Sequence, residues 1–138
     1  MCIRDRVVPQ EAERNLLNII TNKASSSNLR LHLYESPITA PDETTALVSI
    51  TEATGSGYDG PKDMPPANWS VSTDGGGDSE AEHDPIVFNY TGSKSVYGYF
   101  VTDNADNYLL WVEEFAGAPF VLPAGGGTIT ITSKVQVD

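Results

Sequence analysis

The chain has 138 residues and a formal net charge of −11 at pH 7, with 8 Lys and Arg residues against 19 Asp and Glu residues. A surface this acidic repels phosphate backbones, which argues against direct binding to nucleic acid. No apolar run approaches the roughly 20 residues that a membrane-spanning helix needs, which argues against insertion into a membrane. The only cysteine is Cys2, so no intrachain disulfide can form. These features predict one acidic globular domain that is stabilised by packing.

Residues 1 to 6, MCIRDR, differ in composition from the rest of the chain. They carry the only cysteine and two of the eight basic residues, and they lack the apolar segment of a secretory signal peptide. We interpret them as a non-native leader, of the kind that adapter sequence adds to reading frames assembled from environmental DNA. They are excluded from the fold prediction.

Residues 7 to 28 are predicted to form a helical N-terminal arm, with the helix over residues 9 to 23. Pro9 suits the first turn of a helix, where its missing N–H costs nothing. A single amphipathic helix of about four turns is marginal in water, so its apolar stripe must lie on the chain's own sheet or on another subunit. Apolar residues recur along this stripe at spacings of three and four: Ala12, Leu16, Leu17, Ile19 and Ile20.

Residues 29 to 138 are predicted to form a β-domain. Its centre is the stretch from residue 86 to residue 115, where three apolar and aromatic runs are separated by short Gly, Asn and Asp turns. Such runs predict three consecutive antiparallel strands, a β-meander. The predicted fold class is mainly β, an antiparallel β-sandwich or partly closed barrel of about seven strands with one N-terminal amphipathic helix. Further strands are predicted over residues 29–35, 46–52, 69–73 and 128–137.

Two positions in these strands carry specific expectations. In the first strand, Leu residues alternate with polar ones, which places His32 on the solvent face of a half-buried strand. In the meander, Gly98 has no side chain and leaves a space beside it. We expect Trp111, on the neighbouring strand, to fill that space and to be buried.

No arrangement of residues points to catalysis. The turn TGSGYDGP, residues 54 to 61, lacks the GxxxxGK[ST] pattern of a phosphate-binding loop. Glu113 and Glu114 are adjacent on a strand and therefore point to opposite faces, so they cannot act as an acid–base pair. His83 has no second His or Cys to complete a transition-metal site. The chain is predicted to be a non-enzyme, without catalytic residues, a cofactor or a metal.

The most polar segment is DGGGDSEAEHD, residues 74 to 84. Its carboxylates do not follow the EF-hand spacing, and three consecutive glycines do not preorganise a metal site. We expect a mobile, solvated loop that can be shortened with little effect on folding. Calcium binding is the alternative.

The order of short blocks along the chain resembles a group of small tailed-bacteriophage virion proteins. The blocks are TEATGSGY, ANWSVS, FNYTGSKSVYGYFVTD and YLLWVEEF, followed by a Gly-rich turn into TITITSKVQV. The resemblance covers nearly all of residues 7 to 138 and implies a component of the phage particle that is assembled in the bacterial host cytoplasm. It implies no catalytic residues. The acidic insertion at residues 75 to 84 is longer than the group leads us to expect.

The leading functional hypothesis is therefore a capsid decoration or cement protein, present in multiple copies and bound to the major capsid protein or other virion proteins. A tail or neck component is one alternative. Another is a carbohydrate-binding β-sandwich that stacks sugars on Trp69, Tyr97, Tyr99 or Trp111. For the virion hypothesis, the candidate interface residues are apolar side chains on the helix and in a loop after the meander: Leu16, Leu17, Ile20, Phe120, Val121 and Leu122.

Overall fold

The β-domain makes up most of the described chain. A computed structural model describes residues 9, 10, 12, 14, 17, 21, 28–38, 41–73 and 75–137. The expected leader lies outside this part, and so does the expected helix of residues 9 to 23 except at isolated positions.

The described part of the chain is mainly β, as the sequence predicts, and all its strand pairings are antiparallel. It has eleven strands rather than about seven, with two short 3-10 helices at Leu47–Ser49 and Pro66–Asn68. The strands are β1 (Leu29–Tyr34), β2 (Lys62–Met64), β3 (Trp69–Thr73), β4 (Ser79–His83), β5 (Ile86–Tyr90), β6 (Lys94–Val96), β7 (Gly98–Asp103), β8 (Leu109–Glu114), β9 (Phe120–Leu122), β10 (Gly127–Ile131) and β11 (Lys134–Val137).

The strands pair in four separate sets. The largest is a four-stranded sheet in the order β2-β1-β7-β8, and the next is a three-stranded sheet in the order β11-β4-β3. Two further pairs, β10-β5 and β6-β9, complete the fold. Among the described residues, these pairings do not close into a barrel.

One face of the four-stranded sheet packs against the main hydrophobic cluster. In this cluster, side chains of β1, β7 and β8 contact side chains of β5, β6, β9 and β10. The described residues of the three-stranded sheet include no buried member of the cluster. This sheet packs against the cluster through Trp69 and Val135. The buried members are Leu31, Leu33, Ala53, Met64, Phe88, Tyr90, Val96, Tyr99, Val101, Trp111, Leu122, Ile129 and Ile131.

The opposite face of this sheet is covered as well. Tyr34 packs in a second buried cluster with residues of β7 and β8, and the segment that contains the first 3-10 helix covers them through Leu47 and Ile50. Strand β1 is therefore buried on both faces, and its side chains from Leu31 to Tyr34 are all inaccessible to solvent. The prediction that His32 faces solvent is wrong, because alternation along a strand separates two faces without telling which face is covered.

The predicted meander is only partly present. Strands β7 and β8 pair as expected, but β5 pairs with β10 and β6 pairs with β9. The run of residues 94 to 103 is interrupted at Tyr97, whose N–H donates to Tyr34 O at 2.9 Å and whose O accepts from Phe115 N at 2.8 Å. This interruption separates β6 from β7 and lets them join different partners.

The expected contact between Gly98 and Trp111 is also absent. A Cβ at Gly98 would lie 2.1 Å from Glu113 O and 2.6 Å from the Tyr34 hydroxyl, so Tyr34 and the backbone of β8 occupy the space. Trp111 lies opposite Val101 instead. Its burial, with 7% of its surface exposed, is confirmed.

The acidic segment is a strand for half its length. Ser79–His83 forms β4, the central strand of the three-stranded sheet, so the prediction of a mobile loop over residues 74 to 84 is wrong there. Its alternation places Glu80 and Glu82 on one face, where both lie within 3.2 Å of Lys134 Nζ on β11. This cation offsets the charge that otherwise opposes strand formation.

Three other segments differ from the prediction, and one predicted strand is confirmed. Residues 46 to 52 contain a 3-10 helix and a single bridge from Glu52 to Tyr34 instead of a strand. The predicted terminal strand of residues 128 to 137 is divided into β10 and β11, which pair with β5 and β4. Residues 62 to 64 form β2 where a loop was expected. The predicted strand over residues 69 to 73 is confirmed as β3.

Candidate functional site

The predicted interface residues separate into exposed and buried groups. Phe120 and Val121 have 51% and 63% of their surface exposed, and Leu17 is exposed as well. Leu122 is a buried member of the main cluster and is unavailable to a partner, so its assignment to an interface is wrong. Leu16 and Ile20 lie outside the described residues.

Phe120 and Val121 belong to a strand and not to the expected loop. Strand β9 pairs with β6 in a two-stranded unit, which we call the β6–β9 ribbon, with Val96 opposite Phe120 and Ser95 opposite Val121. Neighbouring side chains on a strand point to opposite faces. Phe120 and Val121 therefore expose apolar surface on both faces of the ribbon.

Buried contacts hold the ribbon in place. Val96 and Leu122 pack in the main cluster, and Lys94 Nζ donates to Thr54 O at 2.6 Å and forms an ion pair with Glu35. The hydrogen bond from Lys94 lowers the pKa of Glu35 below its usual value, so this carboxylate is ionised at neutral pH. The exposed apolar side chains are thus presented on an anchored backbone.

A buried polar network around His32 is the second candidate site, and sequence reasoning missed it. The imidazole stacks on Phe100 with the ring centroids 4.5 Å apart. Its Nε2 lies 2.9 Å from Thr102 Oγ1 and 3.2 Å from Asp106 Oδ1. Its Nδ1 lies 3.0 Å from Glu52 Oε1, but in a direction that does not satisfy hydrogen-bond geometry.

The geometry of the His32 network favours a role in joining strands. The Thr102 hydroxyl is completely buried and donates to Asp106 Oδ1 at 2.8 Å, so it is not presented to a substrate. Glu52 and Asp106 lie at different ring nitrogens and do not converge on one point. Within the described ranges, no group of three or more His, Cys, Asp and Glu side chains is placed to hold a metal ion.

The Gly-rich turn of residues 54 to 61 connects β1 and β5 through the side chain of Tyr58. The Tyr58 ring stacks on Phe88 and Tyr90, and its hydroxyl accepts a hydrogen bond from Leu33 N at 3.1 Å. Burial raises the pKa of Tyr58 far above its ordinary value, so the hydroxyl remains protonated. Gly57 has a φ of +75°, and a Cβ there would lie 2.3 Å from Thr91 Oγ1, so this position needs glycine.

Asp59, in the same turn, binds the edge of β5. Its carboxylate accepts from Asn89 N at 2.9 Å and Asn89 Nδ2 at 2.8 Å, and it lies 2.9 Å from Lys62 Nζ. Burial raises the pKa of Asp59, but the hydrogen bonds from Lys62 and Asn89 outweigh this effect and bring the pKa to about 2. The blocks TEATGSGY and FNY therefore meet in a contact that stabilises the fold.

The aromatic residues proposed to stack sugars are mostly unavailable. Trp111 and Tyr99 are buried in the main cluster. Trp69 packs against that cluster and meets Trp111 edge to face, with the ring centroids 6.5 Å apart. Tyr97 is half-buried against the second cluster. Two of the four rings are thus buried and two are half-buried, whereas sugar stacking requires an open ring face.

Comparison with family models, with curated proteins and with solved structures gives no match to this chain. No helix in the described ranges has the length and apolar character that crossing a membrane requires.

Proposed function

We propose that this protein is a structural component of a bacteriophage virion that decorates or cements the capsid by binding the major capsid protein. A position in the tail or neck is the alternative within the same class. The observation that carries the proposal is the β6–β9 ribbon, which exposes Phe120 and Val121 on an anchored backbone. Adjacent apolar side chains that are exposed on a fixed backbone are typical of protein interfaces. The resemblance of the sequence blocks to phage virion proteins supports the same class.

The proposal includes a β-sandwich as the arrangement of the sheets. Its support is the main cluster, in which one face of the four-stranded sheet meets side chains of β5 and β10. Two packed sheets of this kind expose loops and short ribbons at their ends, where docking residues can vary without disturbing the core.

The charge of the chain favours a basic partner surface. In residues 28–38, 41–73 and 75–137, every lysine and arginine lies against a carboxylate of the same chain. The net charge of these residues is therefore negative and would complement a basic rim around an apolar pocket. The bases concerned are Arg30, Lys62, Lys94 and Lys134.

Co-sedimentation with capsids tests the proposal. The reading frames that neighbour the gene supply the candidate capsid protein, and capsids assembled from it are mixed with the parent protein and with variants. Phe120→Ser and Val121→Ser should each weaken binding by about tenfold or more, because burial of either side chain contributes about 1.5–3 kcal/mol. Val87→Ser is the matched control, since Val87 is 45% exposed on β5, away from the ribbon.

The control variant should bind as the parent does. Failure of the parent to co-sediment with capsids would contradict the proposed function. Equal weakening by all three substitutions would contradict the role of the ribbon.

A further inference from the structure

Strand β3 is an edge strand without the usual protection. It lies at the end of the three-stranded sheet, and β4 is its only neighbour among the described strands. Its five residues, WSVST, include no charge and no proline, the two devices that most often prevent an edge from pairing with another chain. The edge of β5 is different, because the N–H groups of Asn89 and Thr91 are bound by Asp59 and by Ser56 O.

The hydrogen bonds of β4 determine which groups of β3 face outward. Asp84 N donates to Asn68 O, on the side of β3, whereas His83 N donates to Ser133 O, on the side of β11. Backbone groups of successive residues in a strand point to opposite sides. The even-numbered residues of β4 therefore bond to β3, and the odd-numbered residues bond to β11.

The register then places Val71 at the centre of the free edge. Ser70 lies opposite Glu82 and Ser72 lies opposite Glu80, so both serines bond inward to β4. Val71, between them, directs its N–H and C=O away from the sheet. No described residue bonds to these two groups, and 77% of the Val71 surface is exposed.

We infer that β3 pairs with β3 of a second copy of this chain, antiparallel and about a twofold axis at Val71. The outward-facing residues 69, 71 and 73 are symmetric about this position, so Val71 meets Val71 of the second copy and Trp69 meets Thr73. About four backbone hydrogen bonds form, two of them reciprocal at the centre. The two sheets become one sheet of six strands, in the order β11-β4-β3-β3-β4-β11.

The side chains fit this arrangement. Val71 lies opposite Ala81, and Ala81 lies opposite Val135, so the three form one apolar row across the sheet. A second copy extends the row across the axis and covers the exposed Val71 side chains with each other. This self-complementarity is what a twofold interface requires, and it favours a second copy over an unrelated strand.

The charges near the edge do not oppose pairing. Glu80 and Glu82 lie one strand away and are held by Lys134 at 3.1–3.2 Å. The two β4 strands of the dimer are three strand spacings apart, about 14 Å, which exceeds the screening length of about 8 Å at physiological salt. The net charge of −11 on each copy acts at longer range, so pairing should strengthen as salt rises. This inference goes beyond the proposed function and does not depend on it.

Two substitutions at Val71 test the pairing, because loss of the dimer halves the mass of the particle in solution. Val71→Pro removes the outward N–H, which the sheet of one copy does not use, and Val71→Lys adds a charge at the axis. Val48→Lys adds the same charge at a residue that is 94% exposed on the first 3-10 helix. Light scattering at about 100 μM and 0.3 M salt, where repulsion is well screened, should give the parent and Val48→Lys twice the 14.8 kDa chain mass. Both Val71 variants should give the single-chain mass.

Cross-linking supplies an independent measurement. In a Cys2→Ser background, Val71→Cys should form a disulfide-linked dimer on mild oxidation, since directly paired residues lie about 5.5 Å apart. Val48→Cys should not cross-link, so it should run as a single chain on a non-reducing denaturing gel. A monomeric parent at this concentration, retention of the dimer by either Val71 variant, or equal cross-linking of the two cysteine variants would overturn the inference. Phe120→Ser should leave the mass of the dimer unchanged, so failure of capsid binding and failure of pairing can be told apart.

Discussion

Trp111 links the two largest sheets through its ring. It lies opposite Val101 in the β7–β8 pair and meets Trp69 of β3 edge to face. Its Nε1 is buried without a hydrogen-bond partner among the described residues. The ring therefore stabilises the fold through packing, while its unpaired N–H has a desolvation cost.

Trp111→Ala should lower the free energy of unfolding by about 3–5 kcal/mol, the usual cost of removing a large core aromatic. A denaturant titration measures this as a shift of the midpoint, and the loss is a large part of the roughly 5–15 kcal/mol that stabilises a domain. Trp111→Phe should cost less, because it keeps a ring and removes the unpaired N–H. An unchanged midpoint for Trp111→Ala would contradict the packing role.

Asp59 should make the stability of the protein depend on pH in the acidic range. Its folded pKa of about 2 lies below its ordinary value of 3.8, so its contribution is present above about pH 4 and is lost as the pH falls towards 2. Asp59→Asn mimics the protonated form. The difference in melting temperature between the parent and this variant should be largest near pH 6 and should have lost most of its size at about pH 2. A difference that stays constant over this range would contradict the assignment.

Strand β4 should tolerate far less change than the turn that precedes it. Removal of residues 79 to 83 eliminates the strand between β3 and β11 and should prevent the three-stranded sheet from forming. Insertion of two glycines after Gly77, by contrast, lengthens a turn and should cost under about 1 kcal/mol, because loop-closure entropy grows slowly with length. Thermal melts of the two variants measure the difference. Equal melting temperatures would contradict the central place of β4.

At the level of elements, the sequence predicts which side chains share a face of a strand better than it predicts which strands pair. Period-two alternation locates β1 and reports which of its side chains share a face, and an apolar and aromatic run locates β8. Neither pattern reports which strand lies alongside. Strand β5 pairs with β10 about forty residues later, as in Asn89 with Thr128, and nothing local to either strand specifies the other.

The candidate functional residues were likewise predictable from the sequence only in part. The apolar sequence of residues 120 to 122 marks a surface of interest, but the burial of Leu122 depends on the pairing of β6 with β9. His32 was misplaced because Ile50 and Leu47, which help to cover its face of the sheet, come from a segment predicted as a strand. The free edge of β3 had a signal in the uncharged sequence WSVST, but that signal has meaning only once β4 is known to be a strand.

At the scale of the whole molecule, the arrangement of pairs has a consequence for the speed of folding. Leu29 lies opposite Asp103 and Lys134 lies opposite Glu82, so the two larger sheets both depend on pairings between distant parts of the chain. Closing such long loops costs entropy before the contacts return any free energy, and domains dominated by non-local strand pairs fold in about milliseconds to seconds.

The pairing of β1 with a distant strand also matters for a chain that is emerging from the ribosome. Its neighbour β7 is synthesised only after the whole segment that contains β2 to β6, so the apolar face of β1 has no permanent cover until most of the domain exists. Nascent chains therefore spend the longest part of synthesis with this strand open to association with other chains.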